Sequence, residues 1–369
     1  MNKKTSTIKS SLFILALLVC FASFGQESYQ YRKPKTLTDG WKTNNLLSRS
    51  IDTSRFYKLF TQLKGGKHKI HSVLLIQKGE LILEEYFGDY SINSQHDLRS
   101  VSKSIQSILL GIAIDKGFID DINDPISKYI KNPSPQKNRD SRKEKITIKH
   151  LITMSSGLDC NDWDKGSKGQ EDKVYRKKNW LHYFLNLPLI NEPGTISNYC
   201  TVGQILATEI ISRTSGMPID KFAEKYLFTP LDITNLSWGH TSKKKVLTSG
   251  KRLYMTPRDM AKIGLLILHK GIWGEHQVVS EKWIEESTSP KTKITGLDYG
   301  YLWWNIPATV NGKTVISKLA TGNGGQYIFI YPELDIVAVF TGGAYNSQED
   351  KLPFAIVNNV FLHAFLSKK

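Results

Sequence analysis

Strand-like segments lie near both ends of the chain, and the part between them has helical patterns. Residues 71–77 and 81–87 are rich in apolar and β-branched side chains and flank a Lys78-Gly79-Glu80 turn, which is typical of a β-hairpin. The strand-like segments of the C-terminal part are residues 301–306, 327–331 and 336–341. Because strands from the two ends can pair in one sheet, the sequence predicts an α/β layer plus an inserted α domain, with a cleft where the two meet.

The middle of the chain carries the helical patterns. In residues 101–114 apolar side chains recur three or four positions apart, as one face of a helix requires. Further helices are predicted at residues 202–211, 219–227, 257–269, 280–287 and 352–366. Residues 26–55 are polar with scattered aromatic side chains, and we expect a loose lead segment there.

The first 25 residues have the pattern of an export signal. Lys3, Lys4 and Lys9 precede an apolar run at residues 12–21, and small residues follow at positions 23 and 25. This predicts a signal peptide over residues 1–25, cleaved after about Gly25; the alternative is an uncleaved membrane anchor. We therefore expect an exported protein, periplasmic or secreted. No membrane span is expected after cleavage, since no other stretch is apolar enough to cross a bilayer.

The chain is strongly basic. Lys and Arg number 50 against 34 Asp and Glu, a net charge of +16, and removal of the three signal lysines leaves 16 − 3 = +13. The basic residues cluster in segments 137–149 and 243–245, without the interleaved aromatic side chains of a nucleic-acid platform. We therefore expect no nucleic-acid partner, and an anionic envelope surface fits the charge better.

Two cysteines remain after the predicted cleavage, Cys160 and Cys200. An even pair in an exported chain is a disulfide candidate, and the alternative is two separate buried thiols. Two cysteines are too few for a structural zinc site, and the histidines show no metal-ligand spacing. The expectation is no metal and no cofactor.

A Ser-x-x-Lys motif occurs four times, starting at Ser6, Ser100, Ser134 and Ser242. Only the second opens a strongly apolar helix, where positions i and i+3 share one face. A buried Lys103 could there lose its proton near neutral pH and activate the Ser100 hydroxyl. The competing interpretation is a helix-capping serine beside a solvated lysine.

Residues 98–104 (Leu-Arg-Ser-Val-Ser-Lys-Ser) resemble the nucleophile motif of the serine β-lactamase and penicillin-binding-protein superfamily. The resemblance is closest to its class C-like esterases and amidases, such as the nylon-oligomer hydrolases. Four further segments match in the same order: residues 150–158, 193–201, 253–264 and 320–326. The resemblance covers roughly residues 60–365.

The fold that this resemblance implies is an antiparallel sheet of N- and C-terminal segments, flanked by helices, with an inserted mainly helical domain. One hydrolase domain would then span residues 56–369. Its α/β part would comprise about residues 56–98 and 290–369, and its helical part about residues 99–289.

The resemblance also implies roles for individual residues. Ser100 would be the acylated nucleophile, Lys103 its proton acceptor or electrostatic partner, and Tyr199 a general acid and base. Backbone N–H groups of Ser100 and of the turn at residues 322–325 would form an oxyanion hole. The substrate- and oxyanion-binding residues implied in this way are Thr201, Gly322, Asn323 and Gly324. A core aromatic at position 199 and an ordinary β-turn at 322–325 are the competing interpretations.

Two positions depart from the family pattern. Thr201 stands where class C enzymes carry Asn, and Ala320 stands where true β-lactamases and transpeptidases carry the Lys that meets a substrate carboxylate. Nothing matches the additional Glu that class A enzymes use for deacylation. These departures favour a carboxylesterase or an amidase for small linear amides over a penicillin-type enzyme.

Two further expectations follow from the matched segments. Cys160 and Cys200 would form a disulfide that braces the wall of the active site. Trp303 and Trp304 follow an aromatic stretch, and we expect one of them in the core and the other at the edge of the pocket.

The leading hypothesis is an exported serine hydrolase that cleaves a small-molecule ester, amide or peptide-like bond through an acyl-enzyme on Ser100. The alternatives are a β-lactamase or D,D-peptidase acting on cell-wall-like substrates, and a non-catalytic binding or sensor protein of the same fold.

Overall fold

Strands from both ends of the chain form one sheet. The computed structural model describes residues 28–130, 137–240 and 251–366, and within them this sheet has nine strands. The predicted signal peptide, the basic segment 243–245 and the motifs at Ser6, Ser134 and Ser242 lie outside the described residues. Across the sheet the order is β1 (Lys42–Thr43), β3 (Glu80–Tyr86), β2 (Ile70–Gln77), β14 (Ile336–Gly342), β13 (Gln326–Tyr331), β12 (Lys313–Gly322), β11 (Trp304–Val310), β10 (Leu297–Tyr299) and β9 (Thr292–Ile294).

The pairing is antiparallel throughout the sheet except between β1 and β3, which run parallel. The predicted hairpin is β2–β3, and β2 pairs directly with β14 from the other end of the chain. The predicted fold class is therefore confirmed. The sequence did not indicate strands β1, β9, β10 and β12, and the strand predicted at 301–306 begins only at Trp304.

The central strands are buried on both faces. Every residue of β13 and β14 is buried, because helices cover the sheet on either side. On one face Val337 packs against helix α9 (Pro257–Leu268), and on the other Phe340 packs against Phe361 near the C terminus. Since side chains alternate between the two faces of a strand, positions 337 and 340 point to opposite sides.

The helices between the two halves of the sheet match most of the predicted segments. Two of them, α2 (Val101–Asp115) and α7 (Thr201–Ser215), are longer than predicted and pack against each other. A π-helical turn at Glu224–Phe228 completes the predicted helix at 219–227, and another at Val357–Phe361 interrupts the closing helix. The remaining helices are α1 (Ser54–Gly65), α3 (Ile126–Tyr129), α4 (Ile148–Ile152), α5 (Glu171–Tyr175), α6 (Trp180–Leu185), α8 (Ile219–Ala223), α10 (Glu281–Thr288), α11 (Leu352–Ile356) and α12 (Leu362–Leu366).

Two small sheets complete the described structure. One has the order β4 (His96–Asp97), β6 (Lys251–Met255) and β5 (Leu236–His240), and the other pairs β7 (Ile272–Trp273) with β8 (His276–Gln277). Strand β4 leads directly into α2, so the first of these sheets sets the position from which α2 starts. None of the described helices combines the length and the apolar composition that a membrane span needs.

The lead segment before α1 is not loose, and that prediction was wrong. Tyr29 and Trp41 are buried, and β1 adds a strand to the sheet edge. The buried Arg258 of α9 pairs with Asp39 of the lead segment at 2.7 Å and with Glu84 of β3 at 2.6 Å. The lead segment is polar, yet two buried aromatic side chains and the ion pairs of Asp39 and Arg49 fix it to the domain.

Cys160 and Cys200 are joined by a disulfide. It links the loop after α4 to the residue that precedes α7, and it closes a separation of 40 residues. Restricting a loop of this size in the unfolded chain is worth about 4 kcal/mol in the chain-entropy account.

Replacing both cysteines by alanine should therefore lower the free energy of unfolding by about 4 kcal/mol. The measurement is urea denaturation of the oxidised protein and of the Cys160→Ala/Cys200→Ala variant. The unmodified protein with a reducing agent serves as the control and should approach the variant. Equal unfolding midpoints for the oxidised protein and the variant would contradict the stabilising role of the disulfide.

Candidate active site

Ser100 stands at the start of α2, and its surroundings set its direction. The Leu98 N–H donates to the carbonyl of Leu253 at 3.0 Å, which holds the chain on the small sheet. Arg99 then adopts a left-handed conformation with φ of 50°, and its N–H donates to the Asp97 carboxylate at 3.1 Å. This turn places Ser100 at the N-cap of α2, where the first backbone N–H groups have no partner within the helix.

The Ser100 hydroxyl does not cap the helix. It accepts a hydrogen bond from the Lys103 Nζ at 3.0 Å, and Lys103 is only 5% exposed. The interpretation of a capping serine beside a solvated lysine therefore fails on both counts. The i, i+3 spacing brings the two side chains together as the sequence predicted.

Tyr199 reaches the same place from the helical part of the chain. It precedes α7 and is buried, and its ring centroid lies 5.1 Å from the Lys103 Nζ. Its phenolic oxygen interacts electrostatically with the Lys103 ammonium. The structure thus brings Ser100, Lys103 and Tyr199 together, although Tyr199 is far from the other two in sequence.

The Lys103 pKa is raised above its ordinary value. Burial by itself lowers this pKa, but the electrostatic interactions with Tyr199, Glu171 and Asp162 outweigh the burial. Lys103 is therefore a cation at neutral pH. The raised pKa argues against the expectation that Lys103 loses its proton. That expectation considered the burial of Lys103 and not its acidic neighbours.

Of those acidic neighbours, Asp162 lies on the loop after Cys160 and Glu171 is the first residue of α5. Asp162 and Glu171 were missed by the sequence analysis, since no motif marks them. Burial, and then the charge of Glu171, raise the pKa of Asp162 to about 6, against the opposing effects of Lys103 and Thr201. The Glu171 carboxylate also accepts a hydrogen bond from the Tyr175 hydroxyl at 2.8 Å.

The turn after β12 closes the site from the side of the sheet. A Cβ atom added to Gly322 would lie 2.4 Å from the Leu98 carbonyl oxygen, so the end of β12 passes very close to the chain that carries Ser100. The Asn323 amide is held by Asn346 through contacts of 2.7 and 2.9 Å. Gly324, with φ of 97°, accepts a hydrogen bond from the Ala344 N–H at 3.0 Å. Gly322 itself takes no positive φ, so its requirement for glycine comes from the close approach.

A cleft of about 340 Å³ connects these parts. It is lined by the start of α2, by α5, by the start of α7, by β6 and by the turn after β12. The lining includes Ser100, Lys103, Glu171, Thr201 and Asn323.

Three aromatic rings pack together around Tyr199. Trp163 stacks on Tyr199 with centroids 4.9 Å apart, and Tyr199 stacks on Trp304 at 6.1 Å. Trp303 is fully buried, so one tryptophan is in the core as predicted. Trp304 is 7% exposed, packs against Tyr199 and is not among the residues that line the cleft, so its place at the pocket edge stays a prediction. Trp163 is 56% exposed and was not singled out in the sequence.

The structure shows the surroundings of Thr201 and Ala320, the two positions that depart from the family pattern. The Thr201 N–H donates to the Asp162 carboxylate at 2.7 Å, and the Thr201 side chain lowers the pKa of that carboxyl. Thr201 is thereby tied to Asp162 through its backbone, and its substrate-binding role stays a prediction. Ala320 is fully buried in β12 and presents no cation to a substrate.

No group of three or more His, Cys, Asp or Glu side chains in the described part of the chain has the arrangement of a metal site.

The family model described as Beta-lactamase matches residues 58–355. The chain belongs to the beta-lactamase family. A family relative, the 6-aminohexanoate-dimer hydrolase of Paenarthrobacter ureafaciens, is 23% identical over 289 residues, which cover 72% of this chain and 70% of that protein.

Solved structures of a class C beta-lactamase and of a penicillin-binding protein share the fold. A class C beta-lactamase aligns with a TM-score of 0.64 at 15% identity and covers 86% of this chain and 97% of its own. A penicillin-binding protein from Bacillus halodurans aligns with a TM-score of 0.59 at 17% identity, covering 78% of this chain and 96% of its own. The resemblance drawn from the sequence motifs is thereby confirmed at the level of family and fold.

A methyl group at Gly322 should disturb this beta-lactamase-family site more than it disturbs the fold. In Gly322→Ala the new Cβ meets the backbone of Leu98, which cannot move without shifting Ser100. A displacement of about 1 Å at a reacting group costs roughly 100-fold in rate. We expect a loss of that order in the rate at which a fluorophosphonate labels Ser100, with thermal unfolding measured in parallel.

Gly312→Ala provides the matched control. Gly312 also lies in a turn of the sheet and has a φ of 75°, but an added Cβ would meet no atom within 4 Å. The substitution should cost about 1 kcal/mol of stability through backbone strain and leave the labelling rate unchanged. An unchanged labelling rate in Gly322→Ala would show that the close approach to Leu98 does not position Ser100.

Proposed function

We propose that this beta-lactamase-family protein is an exported serine hydrolase that cleaves an ester or amide bond of a small molecule through an acyl-enzyme on Ser100. The observation that carries the proposal is the 3.0 Å contact between the Ser100 hydroxyl and the buried Lys103 ammonium. A binding or sensor protein would have no need to bury a lysine against this hydroxyl, since burial of a charge is costly without a partner. Tyr199 beside the same ammonium supports a reactive arrangement over a purely structural one.

In the proposed reaction the Ser100 oxygen attacks the substrate carbonyl carbon. Because Lys103 is already protonated, another group must accept the Ser100 proton, and the proposal gives this role to Tyr199, whose phenolic oxygen interacts with that lysine. Tyr199 then returns the proton to the leaving alcohol or amine as the carbon–heteroatom bond breaks. Water hydrolyses the resulting Ser100 ester by the reverse sequence of proton transfers.

The developing oxyanion would be held by backbone N–H groups. Ser100 contributes its own N–H at the N-terminus of α2, and the turn at residues 322–325 faces it across the cleft. One such donor is worth about 3–4 kcal/mol of barrier in other acyl-transfer enzymes. Gly322, Asn323 and Gly324 would serve here through the backbone, because the Asn323 side chain is held by Asn346.

The buried Ala320 supports an ester or linear amide over a β-lactam. It offers no positive charge where a substrate carboxylate would need one. The similarity to a protein named 6-aminohexanoate-dimer hydrolase, which acts on an amide by its name, agrees with this preference. The second candidate is a β-lactamase or D,D-peptidase, which is favoured by the family and by the folds of the class C beta-lactamase and the penicillin-binding protein.

Export is part of the proposal. It rests on the signal pattern of residues 1–25, and the disulfide between Cys160 and Cys200 fits an oxidising compartment. At a net charge of +13 after cleavage, an anionic envelope surface remains the proposed partner outside the site, and no nucleic acid is proposed.

Labelling with two probes separates the candidate functions. A fluorophosphonate should form an adduct on Ser100, located by peptide mass mapping, while a fluorescent penicillin should not. An adduct with both probes would favour the β-lactamase or D,D-peptidase. No adduct on Ser100 with either probe would favour a non-catalytic protein.

Ser100→Ala should abolish turnover of ester and amide substrates and leave the thermal unfolding midpoint nearly unchanged, because the substitution removes one hydroxyl. Ser102→Ala is the matched control. The Ser102 hydroxyl is two residues away and donates to the Arg99 carbonyl at 2.6 Å. Hydrolysis retained in Ser100→Ala would refute the nucleophile assignment.

A further inference from the structure

Asp162 fastens the loop after α4 to the segment that carries Tyr199. The Asp162 N–H donates to the Tyr199 carbonyl at 2.8 Å, and its carboxylate accepts the Thr201 N–H at 2.7 Å. Cys200, between these two residues, is bonded to Cys160. Residues 160–162 are therefore attached to residues 199–201 at three successive points.

The carboxylate uses both of its oxygen atoms in this arrangement. One accepts from Thr201 and the other accepts from the Glu171 N–H at 3.1 Å, which fixes the start of α5. Thr201 is the first residue of the 15-residue helix α7, so a negative charge there is also favoured by the helix dipole. An asparagine has only one acceptor oxygen and would turn its NH₂ group towards one of the two N–H donors.

The Asp162 carboxylate also interacts electrostatically with groups of the proposed reaction centre. The titratable and charged groups around it are Lys103 on α2, Glu171 and Tyr175 on α5, and Tyr199 before α7. Lys103 is the cation among them, and both carboxylates favour its charged form. The backbone attachment and the charge of Asp162 thus act on the two groups that would handle the Ser100 proton.

We propose that Asp162 is a positioning residue of the active site, which holds Tyr199 in place through the backbone of residues 199–201 and keeps Lys103 charged. The inference rests on the proposed function, because it concerns the reactivity of Ser100. Only the ionised carboxylate offers acceptors to both N–H groups together with a negative charge for Lys103. Protonation removes one acceptor and the charge at the same time.

This role predicts that the rate of Ser100 acylation falls on the acid side of its pH profile, the acid limb. It also predicts that Glu171 influences the pH at which that fall occurs. Ionisation of Asp162 near pH 6 should switch the site on, so the rate of Ser100 acylation should fall as the pH drops through about 6. The charge of Glu171 raises the Asp162 pKa, so removing that charge should move the acid limb to lower pH. A shift of about one pH unit is the scale expected for one nearby like charge.

The experiment measures the rate of fluorophosphonate labelling of the oxidised protein between pH 4.5 and 9. Glu171→Gln keeps an oxygen for the Tyr175 hydroxyl and should lower the midpoint of the acid limb by about one pH unit. Asp162→Asn should label roughly 100-fold more slowly at pH 8 and lose the limb near pH 6.

Asp164→Asn is the matched control. Asp164 lies on the same loop, is exposed, and accepts from the Gly166 N–H at 2.7 Å, which an asparagine oxygen can also do. Its acid limb should coincide with that of the unmodified protein. Thermal unfolding of each variant shows which of them are folded.

The outcomes separate this inference from the proposed function. An acid limb at the same pH in Glu171→Gln and in the unmodified protein would overturn the role of Asp162, even if Asp162→Asn fails to fold. Rapid labelling of a folded Asp162→Asn at pH 8 would overturn it as well. If the unmodified protein forms no Ser100 adduct at any pH, the proposed hydrolase function fails, and the inference fails with it.

Discussion

The burial of the Lys103 ammonium is the constraint on which the site depends. A buried charge is costly unless opposite charge and hydrogen bonds surround it, and Lys103 lies almost entirely out of solvent. The Ser100 hydroxyl, the Tyr199 hydroxyl and the carboxylates of Asp162 and Glu171 supply that environment. These groups lie on four different segments of the chain. Lys103 can therefore be buried as a cation only when the segments that carry Tyr199, Asp162 and Glu171 pack against the start of α2.

The sheet supplies the other half of the site. Because β14 and β2 pair across the two ends of the chain, the C-terminal hairpin of β12 and β13 lies beside α2. The absence of a side chain at Gly322 lets the end of β12 reach the backbone just before Ser100. The aromatic stack of Trp163, Tyr199 and Trp304 then joins the sheet edge to the disulfide-linked loop. The cleft therefore depends on contacts between segments that are all distant in sequence.

Where the sequence predictions held, the signal was local or came from ordered motifs. The hairpin, the helix over α2 and the Ser100–Lys103 contact follow from periodicity and from the geometry of one helical turn. Where they failed, the outcome depended on packing between distant segments. The lead segment is polar, yet Tyr29, Trp41 and Asp39 fix it to the sheet and to α9. Asp162 and Glu171 carry no motif, and only the disulfide-linked loop brings them to Lys103.

The sequence by itself determined the family, the hairpin of β2 and β3, the helices α2 and α9, and the residues that meet within one turn of α2. These depend on motif order, on side-chain periodicity and on the fixed i, i+3 geometry of a helix. The tertiary structure alone decided that Lys103 stays charged, that Thr201 is engaged by Asp162, and that Trp163 covers Tyr199. A pKa is the sum of burial and of every nearby charge, and a hydroxyl's partner depends on what packs against it. Both are therefore decided only when distant parts of the chain come into contact.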